Sequence, residues 1–155
     1  MSALTLRRTG DSPASADGRQ MYTLYYDVCL GRTVIGRCEL RPEPTWAAEY
    51  FGQISYTIFP AWRGHHYAAD ALALLCAEAG RRGADALRVT CRPGNLASRR
   101  TLERAGAALL GTFSVPAEHP LTASGIGEVC IYRLRTNSSP ADGDRNQAGM
   151  KQNDG

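Results

Sequence analysis

The hydrophobic period of the chain changes abruptly at a proline, and that change constrains the fold more than any other feature. Before Pro60, Ile54, Tyr56 and Ile58 alternate with Gln53, Ser55 and Thr57, the two-residue period of a half-buried strand. After it, Leu72, Leu75, Cys76 and Ala79 recur at the intervals of an amphipathic helix that Gly80 or Gly83 closes. A strand is expected over residues 50–59, ended by Pro60, and the helix is expected to open at about His66. Strand and helix must therefore join through one tight turn containing Arg63-Gly64.

Other segments fit around this unit. Residues 21–30 and 33–40 are two apolar runs separated by Gly31-Arg32, a hairpin signature, with Val34, Gly36, Cys38 and Leu40 on one face and Pro42 and Pro44 beyond. Residues 3–8 can add a first strand. Residues 86–91 read as a short strand facing Leu87, Val89 and Cys91 one way. Asn95 is a good N-cap for a second helix through Ala105, and Gly106 stands where a left-handed C′ residue belongs. Strands over 108–115 and 128–135 complete an order of β–β–β–α–β–α–β–β. The fold class is α/β (α+β), a mixed sheet with two main helices packed on it.

The 155 residues suit one domain, expected over 1–135, with a flexible Gly/Ser/Pro/Asp-rich linker at 10–20. Residues 136–155 are polar and too poor in aliphatic side chains to offset their ordering entropy, so a disordered tail is expected. Lys+Arg exceeds Asp+Glu by 18 to 15, and Lys151 is the only lysine. This excess suits a small polyanion but is a weak nucleic-acid footprint, and no aromatic stacking motif accompanies it. An RNA-binding reading and a nucleic-acid partner are set aside. Five cysteines without a CxxC pair make neither a disulfide framework nor a zinc site, so buried thiols in a reducing compartment are expected, and no metal. No stretch approaches the about 20 apolar residues that span a bilayer, and the N-terminus carries no signal-like apolar run. The expectation is a soluble, cytoplasmic protein without a membrane partner.

The chemistry is concentrated in IFPAWRGHHYAADA. The first N–H groups of a helix lack internal acceptors and lie at the positive end of its dipole. A glycine turn lets them converge on an anion, and Arg63 adds a charged donor, so a phosphate or pyrophosphate site is expected here. No Lys-Ser/Thr follows the glycine, which excludes a P-loop, and a dinucleotide fingerprint would need two further glycines. His65 and His66 are solvated loop residues, anion contacts or a metal pair; without further ligands the anion reading is favoured over metal.

The stretch GQISYTIFPAWRGHHYAADAL resembles the core motif of the GCN5-related N-acetyltransferases, the GNAT superfamily: a strand, Pro, two residues, Arg-Gly-x-Gly-Tyr-Ala, then a helix. Asn95, Ala97, Ser98, Glu103 and Gly106 in PGNLASRRTLERAGA resemble the family's second helix motif. The resemblance runs from about Tyr22 to Leu134 and leans towards the ribosomal-protein N-acetyltransferase-like branch. It implies a splayed central sheet with acetyl-CoA, a cosubstrate, between the strand ending at Phe59 and the strand 87–91. It also implies a pyrophosphate held by amides of Arg63, Gly64, His65, His66, Tyr67 and Ala68, with pantetheine beside Thr57 and Ile58. Asn95 and Ser98 would flank the pantetheine or nucleotide arm, and Arg99 or Arg100 could reach a 3′-phosphate. Three departures from the pattern stand out. His66 replaces its second glycine, Leu102 replaces a frequent tyrosine acid, and the helices that usually follow the first strand have no room.

The resemblance thus implies an acetyl-CoA-dependent N-acetyltransferase acting by direct attack of a primary amine on the thioester. The amine would belong to a small molecule or to a protein N-terminus or side chain. Glu49, Tyr56 and Ser98 are the catalytic candidates, although the apolar face of its strand also suits Tyr56 to the core. His119, in VPAEHPL, is a loop residue that could reach the acceptor side, and Cys91 reads as an inert thiol. Exposed sheet edges near the last strands leave room for a homodimer. The alternative, from another class, is a non-catalytic CoA-binding module.

Overall fold

The computed structural model describes residues 4–136. Four strands, β1 (Leu4–Ser12), β2 (Thr23–Leu30), β3 (Thr33–Leu40) and β4 (Ile54–Ile58), form one antiparallel sheet in sequence order. Three more, β5 (Ala86–Cys91), β6 (Ala108–Ser114) and β7 (Glu128–Arg135), form a second with β7 in the middle. The helices are α1 (Trp46–Phe51), α2 (Tyr67–Arg81), α3 (Leu96–Arg104) and α4 (Pro120–Ala123), with a 3-10 turn at Pro60–Trp62. This is the expected mixed α/β architecture, and it matches a splayed central sheet in being split into two parts.

One core lies under both sheets. Leu24, Val28, Ile35, Leu40 and Ile54 from the first meet Leu87, Val89, Cys130, Tyr132 and Leu134 from the second, and α2 covers them with Leu72, Leu75 and Cys76. Leu72 and Leu75 are fully buried, each stabilising the fold by about 2 kcal/mol. The continuous apolar run of β7 has a reason: it is buried on both faces. Cys130, Tyr132 and Leu134 face the main core, while Val129 and Ile131 pack with Leu121, Val115 and Tyr50 on the other side, where α1 and α4 lie.

Gln53 joins the sheets. Its amide donates to the Arg88 carbonyl at 2.7 Å and its carbonyl accepts from the Arg41 amide at 2.7 Å. Its side chain repeats the pattern, with Oε1 accepting from the Arg88 amide at 2.9 Å and Nε2 donating to the Arg41 carbonyl at 3.2 Å. Buried and fully paired, this glutamine serves as one rung of sheet between β3 and β5. Among the described residues no ladder connects β4 to β5, so beyond Gln53 the two strands part.

Several expectations need correction. The strand placed over 50–59 is shorter. Tyr50 and Phe51 belong to α1, which Thr45 caps by accepting the Ala48 amide at 3.2 Å and which Gly52 ends at φ 88°. Phe59 lies outside β4 and precedes the 3-10 turn. The linker at 10–20 also contracts, because Gly10, Asp11 and Ser12 pair with Tyr25, Leu24 and Thr23 in β1–β2. The rest turns through Ser15, whose amide and hydroxyl bond to Gln20. Thr136 is not part of a free tail: it is buried, donating from its amide to Asp85 and from its hydroxyl to Ala84. The remaining tail, 137–155, lies outside the described residues. No helix stands between β1 and β2 among the described residues, as the short connection requires. No described helix is long and apolar enough to cross a membrane.

Candidate functional site

Beside the end of β4 a cleft of about 390 Å³ opens, lined by α3 and by no residue of β5, the strand expected to form its second side; its volume is within the range of small-molecule sites. One wall is the end of β4 (Tyr56, Thr57, Ile58), the second is the turn and first residues of α2, and the third is Asn95, Ala97, Ser98 and Thr101 of α3.

The α2 wall is built by two left-handed residues. Gly64 has φ 90° and His66 has φ 63° and ψ 21°. His66 is the only described non-glycine residue with positive φ, a conformation that costs a side-chain-bearing residue about 1 kcal/mol. It occupies the N-cap position of α2, but its side chain makes no capping bond. The amides of Gly64 through Ala68 have no acceptor among the described residues. The mouth of a fifteen-residue helix therefore faces the cleft with unpaired donors, a fit for an oxyanion such as a diphosphate. Arg63 acts differently from a free anion ligand: its Nε donates to the Ile58 carbonyl at 2.8 Å. That bond ties the turn to the last residue of β4 and leaves the outer guanidinium nitrogens for a ligand.

At the inner end, the Tyr56 and Ser98 hydroxyls share a hydrogen bond of 2.9 Å across the gap between β4 and α3. Burial pushes the Tyr56 phenol above its ordinary value, and the bond to Ser98 only partly offsets this, so the phenol keeps its proton at neutral pH. Asn95 caps α3, its Oδ1 accepting the Ser98 amide at 3.1 Å. The cap therefore also orients the serine.

The sequence-named residues divide cleanly. Tyr56, Thr57, Ile58, Arg63, Gly64, His66, Tyr67, Ala68, Asn95 and Ser98 come together around the cleft. His65 does not line it; its ring lies tilted by 35° against that of Tyr67, the centroids 5.4 Å apart. Arg99 turns beneath α3, donating from Nε to the Tyr132 hydroxyl and from Nη1 to the Pro93 carbonyl, both at 3.1 Å. Glu49 lies on α1 and pairs with Arg88 at 3.6 Å, on the sheet face opposite to Leu87 and Val89. His119 is buried rather than on a loop surface: Nδ1 accepts the Leu121 amide at 3.1 Å, which places the proton on Nε2, donating to Ala47 at 2.9 Å. Trp62 and Thr101 line the cleft without having been singled out; the 3-10 turn and the second turn of α3 bring them in, and of these only α3 was expected from the sequence.

The model of one protein family, described as an acetyltransferase (GNAT) domain, matches residues 5–108. No curated protein matches the sequence. Among solved structures, the chain is similar to the microcin C7 self-immunity acetyltransferase MccE in complex with acetyl-CoA and AMP. They share 20% identity and a TM-score of 0.55, with 73% of this chain and 61% of that one covered. It is also similar to RimL, a ribosomal L7/L12 alpha-N-protein acetyltransferase in complex with coenzyme A, at 21% identity and TM-score 0.59, covering 76% and 64%. A third is the acetyltransferase from Salmonella typhimurium that modifies the N-terminal serine of ribosomal protein L7/L12, at 20% identity and TM-score 0.56, covering 74% and 64%. The chain spans about three fifths of the length of these structures, and at such identities the likeness is one of fold.

Proposed function

The chain belongs to the GNAT family of acetyltransferases, and from that premise we propose that it transfers the acetyl group of acetyl-CoA to a primary amine. The observation that carries this reading is the uncapped mouth of α2 opening into the same cleft that ends on the Tyr56–Ser98 pair. Acetyl-CoA supplies an acyl group activated as a thioester, with a thiolate as leaving group. The amides of Gly64 to Ala68 bind its diphosphate, and the cleft backbone at Thr57 and Ile58 orients the pantetheine arm. Arg63 stiffens that edge through the Ile58 carbonyl. Asn95 fixes the first turn of α3 and with it Ser98. Ser98, backed by the protonated Tyr56 phenol, donates to the departing sulfur. Glu49 is the base in this reading, serving an amine that approaches on the α1 face; it acts through water, because it does not line the cleft. The amine attacks the thioester directly, without an acyl-enzyme. Its owner is a small molecule or a protein terminus.

Calorimetric titration with acetyl-CoA tests the site, with a micromolar-range interaction expected; flat heats would remove the proposal. Thiol release against a panel of amines then separates the enzyme from a module that only binds CoA. The second reading has its own support: His66 in a strained position where the family pattern has glycine, Leu102 in place of an acid, and a β1–β2 connection without helices. A binder takes up CoA and releases no thiol.

A further inference from the structure

We propose that Cys91 and Cys130 form a dithiol site that exchanges with low-molecular-weight disulfides and closes to a reversible disulfide between β5 and β7. The two residues are direct partners in the antiparallel register of these strands. Strand alternation puts both side chains on one face, Cys91 following Leu87 and Val89, Cys130 preceding Tyr132 and Leu134. Opposed residues on antiparallel strands have Cα atoms about 4.5–5.5 Å apart, inside the roughly 4.4–6.8 Å window of a disulfide. Cys29, Cys38 and Cys76 are buried, and none of them has a cysteine as its strand partner.

Exposure assigns the roles. Cys91 ends β5 and is half-buried, so a solute can reach it; Cys130 is fully buried and can be reached only by its neighbour. The Arg99 guanidinium, fixed on Tyr132 and Pro93, interacts with both sulfurs. Burial and then Cys130 raise the Cys91 thiol above its ordinary value, and the Arg99 charge offsets only part of this rise. With glutathione disulfide as oxidant the step balances. Cys91 releases its proton to solvent, and its thiolate attacks one glutathione sulfur, forming a mixed disulfide and expelling the first glutathione thiolate. Cys130 then gives up its proton and attacks the Cys91 sulfur, expelling the second glutathione. Two protein thiols are oxidised and one disulfide is reduced to two thiols. The bond would pin the strand end from which residues 92–95 lead into α3, one wall of the cleft.

The test uses the whole folded chain incubated with glutathione disulfide, then denatured and alkylated. The five free thiols should fall to three, peptide mapping should link Cys91 to Cys130, and dithiothreitol should restore all of them. The Cys130→Val variant should stop at a glutathione adduct on Cys91, and Cys91→Ser should take up none at Cys130. Unchanged thiols in the wild-type chain, a persistent adduct on Cys91, or a link between other cysteines would each overturn the assignment. The readout needs neither CoA nor an amine, so it stands apart from the acetyltransferase proposal.

Discussion

Replacing Gly36 by alanine probes the strand that carries the cleft. Gly36 pairs with Val28 on one side and with Ile58, the last residue of β4, on the other. A Cβ there would overlap the Thr57 carbonyl oxygen and stand 3.1 Å from the Ile58 Cα. Both are backbone atoms, so no rotamer change relieves the clash. Reaching ordinary contact requires β3 and β4 to separate by about 1 Å, and overpacking of this kind costs roughly 2–3 kcal/mol. For a chain of this size that lowers the melting temperature by about 10 °C. The displaced atoms are those of Thr57 and Ile58, so CoA affinity should fall as well. Gly64→Ala is the contrast: it has open space at its Cβ and strain only from its φ of 90°, worth about 1 kcal/mol. Urea denaturation and CoA calorimetry on both variants measure the effects. If Gly36→Ala is within about 0.5 kcal/mol of wild type, the close approach of β3 to β4 is wrong.

Arg63→Glu should weaken CoA binding about thirtyfold, roughly 2 kcal/mol, while costing about 1 kcal/mol in stability through its single bond to Ile58; an unchanged dissociation constant would refute the role of the turn. Ser98→Ala and Tyr56→Phe should each lower kcat by about tenfold to a hundredfold with KM nearly unchanged, and equal turnover in thiol-release assays would remove the pair as proton donor. Stability should also fall in alkali. Burial raises the Cys38 thiol from 9.0 to about 12 and that of Cys76 to about 11. The unfolded chain therefore loses these protons first, and the stability they give is complete below pH about 9 and is lost as pH climbs through the folded values. Urea midpoints that stay flat from pH 8 to 11 would contradict this.

Much of the framework was legible because its signals are local. The Gly31-Arg32 hairpin, the 3.6-residue period of α2, the Asn95 cap and the Gly106 stop each lie within a few residues of the element they define. The short helix α1 was not, because Trp46, Tyr50 and Phe51 are good strand formers and six residues give too few periods to betray a helix. Its signal was Thr45 after Pro44, a cap that a strand does not need. At the cleft, the turn and the α2 mouth follow from the motif alone. The partnership of Tyr56 with Ser98, 42 positions apart, and the inward turn of Arg99 depend on how α3 settles against the sheet, which no spacing encodes. The same holds for Glu49, whose place opposite the core follows from α1 rather than from its nearness to β4.

Gln53 gives the molecule the mechanics of a pair of tweezers. The two blades share the core beneath α2, and among the described residues Gln53 is the rung that joins their ladders, through four hydrogen bonds to Arg41 and Arg88. A change of angle at that rung would be felt along β4 towards Ile58. The width of the cleft at Thr57 and Ile58 would then respond to residues that do not line it.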